Sequence, residues 1–377
     1  MNTIQKTGWY LNVWSGLAAW MLGQTLVLLG AMKSGRSPFD LSVYSQWDSG
    51  HYLSIAEHGP VISQCVDVAN RASDQWCGSA GWLPIYPALI AVLSKLSSLS
   101  LTSSAFIISA GCALVASVLA SRVVSITSGA DPLTVFIIAC NAAIFPGMVW
   151  GFVSFPISMT LMFFWTALLL DLKGWWHSSS VIIGLTAVTH SVGLIIVGVW
   201  LLVVFCRTDK RRWLWRSLLT LCPSVCFFGY QEAVLGHWNA HLLVQSAYGH
   251  QPGFLPFIVV RRLIDAIKND STPLTIVGIQ QFWLLAIVGI AGVHFLRRRK
   301  EMTLTLLLPV VVGFACVAFA MSIAHGSDFA YWRAVAFGSL IAPLFVMLPR
   351  HYLLGMTCIN AVFFFAIANG YIRGFYF

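Results

Sequence analysis

Apolar runs near or above the roughly 20 residues needed to cross a bilayer recur along the chain from Leu11 to Asn369. Runs of that length, repeated so closely, build the core from spanning helices. Only 9% of the 377 residues are charged and 58% are hydrophobic, where a soluble domain is about 25% charged. The expectation is an all-α polytopic membrane protein, one domain over residues 1–377, with no soluble domain set apart. Lys6 precedes the first run, which is long enough to span and has no small-residue cleavage pattern after Ala31. It reads as a retained first helix rather than a signal peptide.

Charge distribution sets the topology. The formal net charge is +9, but the basic residues gather in short loops, most densely in "CRTDKRRWLWR" (206–216) and "RRRK" (297–300). Lys and Arg mark cytoplasmic loops, so the excess is a topology signal and not a nucleic-acid footprint. With both clusters inside, 218–235 leads out, 236–275 is a large outer loop, and 276–295 returns. Crossings at 302–323, 334–348 and 351–369 follow, putting "AHGSDFAYWR" (324–333) outside. Lys6 inside sends the helix at 11–31 outward, so 32–102 forms a long first outer loop.

Two segments test this scheme. "LPIYPALIAVLSKLSSL" (83–99) is apolar for about 15 residues but carries Lys95, and a crossing there would put Lys173 outside, against the charge rule. It reads as an amphipathic helix at the outer interface. Residues 180–206 would start and end on the cytoplasmic side, which one crossing cannot do. Two short helices meeting at "THSVG" resolve it, and broken helices are tolerated where they line a cavity or pack in protein. The total is about eleven spans, with the N-terminus inside and the C-terminus outside.

Of the nine cysteines, Cys65 and Cys77 share one polar loop and are close enough to be bridged, given an oxidising compartment. The others lie in or beside apolar runs and read as small core residues.

Ionisable residues are scarce within the spans, apart from His190 at the break and Glu232 near an outer end. A transporter or flippase would keep charged groups near the midplane; here they collect on the outer loops. "YSQWDSGHYLSIAEHGP" (44–60) is the densest such stretch. Asp48 reads as an N-cap of a short helix ended by Gly59-Pro60. It also reads as a general base beside Trp47, with His51 and Tyr52 one turn on along the same face. Glu57 and His58 read as the helix end.

"QWDSGHYLSIAEHG", followed by "WLPIYPALI", resembles the "WD…Y…IAxxGY…FFPLYP" signature of the PIG-V family, which adds the second mannose in GPI-anchor synthesis, and its bacterial relatives. The motif match covers residues 46–90; the later order is similar, with "IFPGMVWGFVSFP", "THSVG" and an outer loop ending in Arg. The resemblance implies a GT-C fold, an inverting transfer of hexose, here mannose, from a polyprenyl-phosphate carrier, and Asp48 as the catalytic base. It also implies a non-spanning helix after the first loop. Three departures stand out: Gln46 replaces an Arg, "VSFPIS" lacks the acid of a Tyr-x-Glu element, and His190 replaces an Arg or Lys.

A phosphate leaving group needs donors to stabilise its charge. Arg261, Arg262 and Arg333 on outer loops and His190 at the break are the candidates; the arginines also read as residues snorkelling to headgroups. Trp47, Trp82 and Tyr86 flank the motif as candidate sugar-stacking walls, or belong to an interfacial aromatic belt. No cofactor and no metal is expected, since His-x6-His lacks a ligand spacing. The expected partners are the bilayer, a polyprenyl-phosphate sugar and an acceptor at the outer or lumenal face. The rival readings are a transporter or flippase of a lipid-linked substrate and a non-catalytic membrane subunit.

Overall fold

A computed structural model describes residues 3–66, 72–247, 272–298, 304–323 and 333–375, with isolated positions 264, 267 and 268. The described residues are mostly helical; one two-stranded ladder is found among them. Among the described residues, five helices are long and apolar enough to cross a membrane, within Trp9–Lys33, Leu101–Ser128, Lys210–Leu235, Thr275–Arg297 and Arg350–Ile372. The multi-pass expectation therefore holds, and shorter apolar helices pack among these five.

Helix α1 (Thr3–Lys33) leads into the first loop, which carries α2 (Ser49–His58) and α3 (Ile85–Ser97). Strands β1 (Ser63–Gln64) and β2 (Trp76–Cys77) pair antiparallel between them, Ser63 opposite Cys77. The Cys65–Cys77 disulfide closes this hairpin, with Cα atoms 5.1 Å apart. Gly78 leaves it at φ +124, where a Cβ would overlap the Val61 carbonyl, so the chain passes there only as glycine.

Helix α3 has 13 residues, about 20 Å of rise. It buries Tyr86, Pro87 and Ile90. Its exposed side carries Leu89, Val92 and Leu96 together with Lys95.

Helices α4 (Leu101–Ser128), α5 (Pro132–Ala143), α6 (Val149–Phe152) and α7 (Ile157–Leu172) form the centre with α1. Local chemistry fixes their junctions: Gly129 ends α4 in the left-handed region, and Asp131 caps α5 by accepting from the Thr134 amide, with Pro132 next in the first turn.

The break expected at "THSVG" is present. Helix α8 (Trp176–Ala187) stops and α9 (Gly193–Arg207) starts across a turn in which the Gly193 amide donates to the His190 carbonyl at 2.7 Å. A Cβ on Gly193 would overlap the Thr186 carbonyl.

The basic run 206–216 is not a loop. Only Thr208 and Asp209 separate α9 from α10 (Lys210–Leu235), and Asp209 caps α10 by accepting from the Arg212 amide, so the basic residues form its first turns. Deeper in the same helices, Arg216 pairs with Asp171 of α7 at 2.5 Å, with both side chains largely buried. That is a charge pair the scarcity of ionisable residues did not foretell. Cys206, Cys222, Cys226 and Cys358 are exposed, not core, because their helix faces turn outward, while Cys112, Cys140 and Cys316 are buried.

After α11 (Ala240–Ser246) come α12 (Thr272–Arg298), α13 (Leu304–Ile323) and α14 (Arg350–Ile372). Between the last two, Val335–Met347 is a 3-10 helix where an ordinary α-helical span was expected. Every residue from Val335 to Phe345 is buried. At about 2 Å per residue, its 13 residues reach further than an α-helix of equal length.

Candidate functional site

Asp48 stands at the cap position of α2 with φ −58 and ψ −13, and its side chain makes no cap hydrogen bond. The capping reading of Asp48 is therefore corrected. Its carboxylate instead pairs with Arg333, which lies two residues before the 3-10 segment, and accepts a side-chain hydrogen bond from Trp82. Trp47, just before it, has φ +63, an uncommon conformation for a bulky side chain and one that re-aims the backbone where α2 begins.

The approach to Asp48 is pinned from both sides. The Gln46 amide donates to the Tyr371 hydroxyl at 3.0 Å, which donates to the Tyr44 carbonyl at 3.1 Å. Ser49 Oγ donates to the Ser154 carbonyl at 3.0 Å. Gln46 contributes its backbone here, at the position where relatives of the resembled family carry Arg.

Burial pushes the Asp48 carboxyl upward, but the Arg333 guanidinium, with His51 and the Trp82 bond, holds it below its ordinary value. It is thus ionised at neutral pH. Burial lowers His51 in turn, and its ring stacks on Trp82 at 3.5 Å and 16°. Arg333 also lies over the Phe155 ring at 5.5 Å, a cation–π contact that steadies it.

These groups open onto a cavity of about 350 Å³. Asp48, Tyr52, Trp82, His190 and Arg333 line it together with an apolar wall of Leu83, Leu194, Ile195, Phe319 and Ala320. A small polar set converging on an apolar recess is the usual form of a ligand site. His190 Nδ1 accepts from the Val192 amide at 3.2 Å; a neutral ring then carries its proton on Nε2 and serves as a donor, not a cation.

The other expected residues separate from this group. Tyr86 is a core residue: its hydroxyl meets the Ala105 carbonyl at 2.9 Å and Ser109 Oγ at 2.8 Å, and it supports Tyr52 edge-on at 5.3 Å instead of lining the cavity. Trp47 packs against the core without lining the cavity, and His51 stands behind Trp82. Glu57 and His58 are exposed at the end of α2, 3.8 Å apart. Arg261 and Arg262 lie outside the described residues. Among the described residues no three His, Cys, Asp or Glu side chains gather as a metal ion needs.

No model of a known protein family matches this chain, and no curated protein does. The case for its function rests on the residues.

The structure adds two cavity residues that the sequence did not single out, His241 and Gln245 of α11. Their only signal is a four-residue spacing in "AHLLVQS", which is common in helices. Neither neighbours a charge or a motif.

Proposed function

We propose that this protein is an integral-membrane inverting glycosyltransferase of GT-C type, moving a hexose, here mannose, from a polyprenyl-phosphate carrier to an acceptor. The observation that carries the reading is an ionised Asp48, held by Arg333 and Trp82, at the wall of a cavity whose lining is part polar and part apolar. A lipid-linked sugar has the same mixed chemistry. The resemblance of residues 46–90 to the PIG-V family supplies the choice of mannose.

In the proposed step the acceptor hydroxyl oxygen attacks the anomeric carbon, its proton passes to Asp48, and the bond to the carrier phosphate breaks with its electron pair on the phosphate. Arg333 and the His190 Nε2 proton stabilise the charge that develops there. Arg333 then serves both groups, positioning the base and receiving the leaving phosphate. A depressed carboxyl is a weak base, but it is always ready, and proton transfer completes as the acceptor oxygen becomes acidic late in the step.

In this reading the five long helices supply five of the eleven crossings of the charge-derived topology, and the chain through α5 and α6, α7, α8, α9, α13 and the 3-10 helix supplies the rest. The Cys65–Cys77 bridge supports a site in an oxidising compartment. That is the periplasmic or extracellular face of a cytoplasmic membrane, or the lumen of the endoplasmic reticulum.

The test is incubation of purified protein with labelled polyprenyl-phosphate mannose and a panel of glycolipid, glycan and peptide acceptors. Transfer of label supports the reading. Movement of the intact lipid across a vesicle without transfer supports a flippase, and neither outcome supports a non-catalytic subunit.

A further inference from the structure

Two polar side chains lining the cavity take no part in the step above. His241 and Gln245 lie four residues apart on α11, hence on one face, and both line the cavity. Gln245 Nε2 donates to the Gly81 carbonyl at 2.5 Å, which fixes the amide. His241 is only 6% exposed, and its Nδ1 is buried without a hydrogen bond among the described residues. Removing such an atom from water costs free energy that nothing among the described residues returns.

The ring is neutral at physiological pH, since burial pulls it down to about 4 against the opposing Gly81 carbonyl. A neutral imidazole and a carboxamide offer donors and acceptors without charge. The neighbouring wall residues Gly81, Trp82, Leu83 and Leu242 add none. These two side chains therefore do nothing to offset a phosphate, and match a group whose hydroxyls both give and take hydrogen bonds.

We infer that His241 and Gln245 form a charge-free subsite of the cavity that hydrogen-bonds a neutral, hydroxyl-bearing part of the substrate. Only the choice of a sugar as that part rests on the glycosyl-transfer reading. The subsite is tied to the base through the chain itself, because Gly81 holds Gln245 and the next residue, Trp82, bonds Asp48. The hydroxyls belong to the donor or to the acceptor, and two pairs of lipids separate these sources.

The experiment measures binding to the full chain in nanodiscs of polyprenyl-phosphate mannose against polyprenyl phosphate, and of monoglucosyl diacylglycerol against diacylglycerol. In at least one pair the sugar-bearing lipid binds wild type about tenfold tighter, the worth of a hydrogen bond or two. His241→Phe keeps a ring beside Phe227, whose centroid is 6.3 Å away, and cuts that margin below about twofold. Affinity for bare polyprenyl phosphate and the melting temperature stay as in wild type. Should His241→Phe fail to fold, Gln245→Leu carries the same comparison. A margin that survives substitution, or no margin in either wild-type pair, overturns the subsite. A His241-dependent margin confined to the diacylglycerol pair upholds the subsite on the acceptor side. If polyprenyl-phosphate mannose is also never consumed, the donor reading fails while the subsite stands.

Discussion

An aspartate at a helix start ordinarily gives its carboxylate to the first-turn amides, whereas Asp48 gives it to Arg333 and Trp82. The pair predicts its own pH behaviour. Arg333 holds the Asp48 carboxyl down, so the acid limb of the rate profile in wild type lies below the ordinary carboxylate value of about 4. Arg333→Gln removes the cation while leaving the burial, so the carboxyl rises and the acid limb moves to higher pH. Transfer near neutral pH falls about 100-fold, the usual cost of one lost charge-stabilising donor. An unmoved limb in that variant contradicts the pairing. His241 supplies a second residue-scale prediction. Its folded value of about 4 lies below the ordinary 6.5, so the neutral form is the one that docks α11 against Gly81 and Phe227. That contribution is complete above pH 6.5 and is lost as pH falls from there toward 4, an effect of up to about 3 kcal/mol. Hydrogen exchange of residues 240–246 at pH 7 and pH 4.5 reads it directly. Asp48 was legible in the sequence because its aromatic neighbours are local. Its partner Arg333 was singled out from "DFAYWR", but the pairing across 285 positions was not legible. His241 was invisible for want of any charge or motif beside it.

Elements place these residues, and two of them are testable joints. The β1–β2 hairpin, closed by Cys65–Cys77, feeds through Gly78 into Gly81 and Trp82, the residues that meet α11 and Asp48. Replacing both cysteines by alanine lowers stability by about 3 kcal/mol and lowers turnover with it. The melting temperature of wild type under reductant, which should match that of the double variant, checks this. The α8–α9 break is the second joint. Gly193→Ala forces a Cβ against the Thr186 carbonyl, so the turn must open and carry His190 with it, at a cost of about 1–3 kcal/mol. A lower melting temperature with reduced transfer is the expected result; unchanged values contradict a tight break. The break was legible because charge parity demanded two helices where hydropathy offered one run. The 3-10 form of Val335–Met347 was not, since its all-apolar sequence carries no period that separates three residues per turn from 3.6. Charge density alone reads the first turns of α10 as loop, whereas Asp209 caps a helix there.

At the scale of the whole molecule, the helix bundle holds Asp48, Arg333, His190 and His241 around one cavity although they come from four separate stretches of the chain. The outer surface of α10 is largely apolar, with Leu218, Leu221, Val225 and Val234 exposed, a face suited to lipid and not to water. The membrane class was thus legible from composition alone, because a bilayer constrains every span in the same way. The geometry of the cavity was not, because it depends on long-range packing that no local pattern records. Asp48→Asn is nearly isosteric and removes the base while keeping the side chain's size. The measurement that decides the account is single-turnover transfer of labelled mannose from polyprenyl-phosphate mannose by this variant, beside wild type, with membrane insertion and melting temperature as controls. The account predicts an inserted, folded protein whose transfer falls at least about 100-fold; transfer near the wild-type rate would contradict Asp48 as the base.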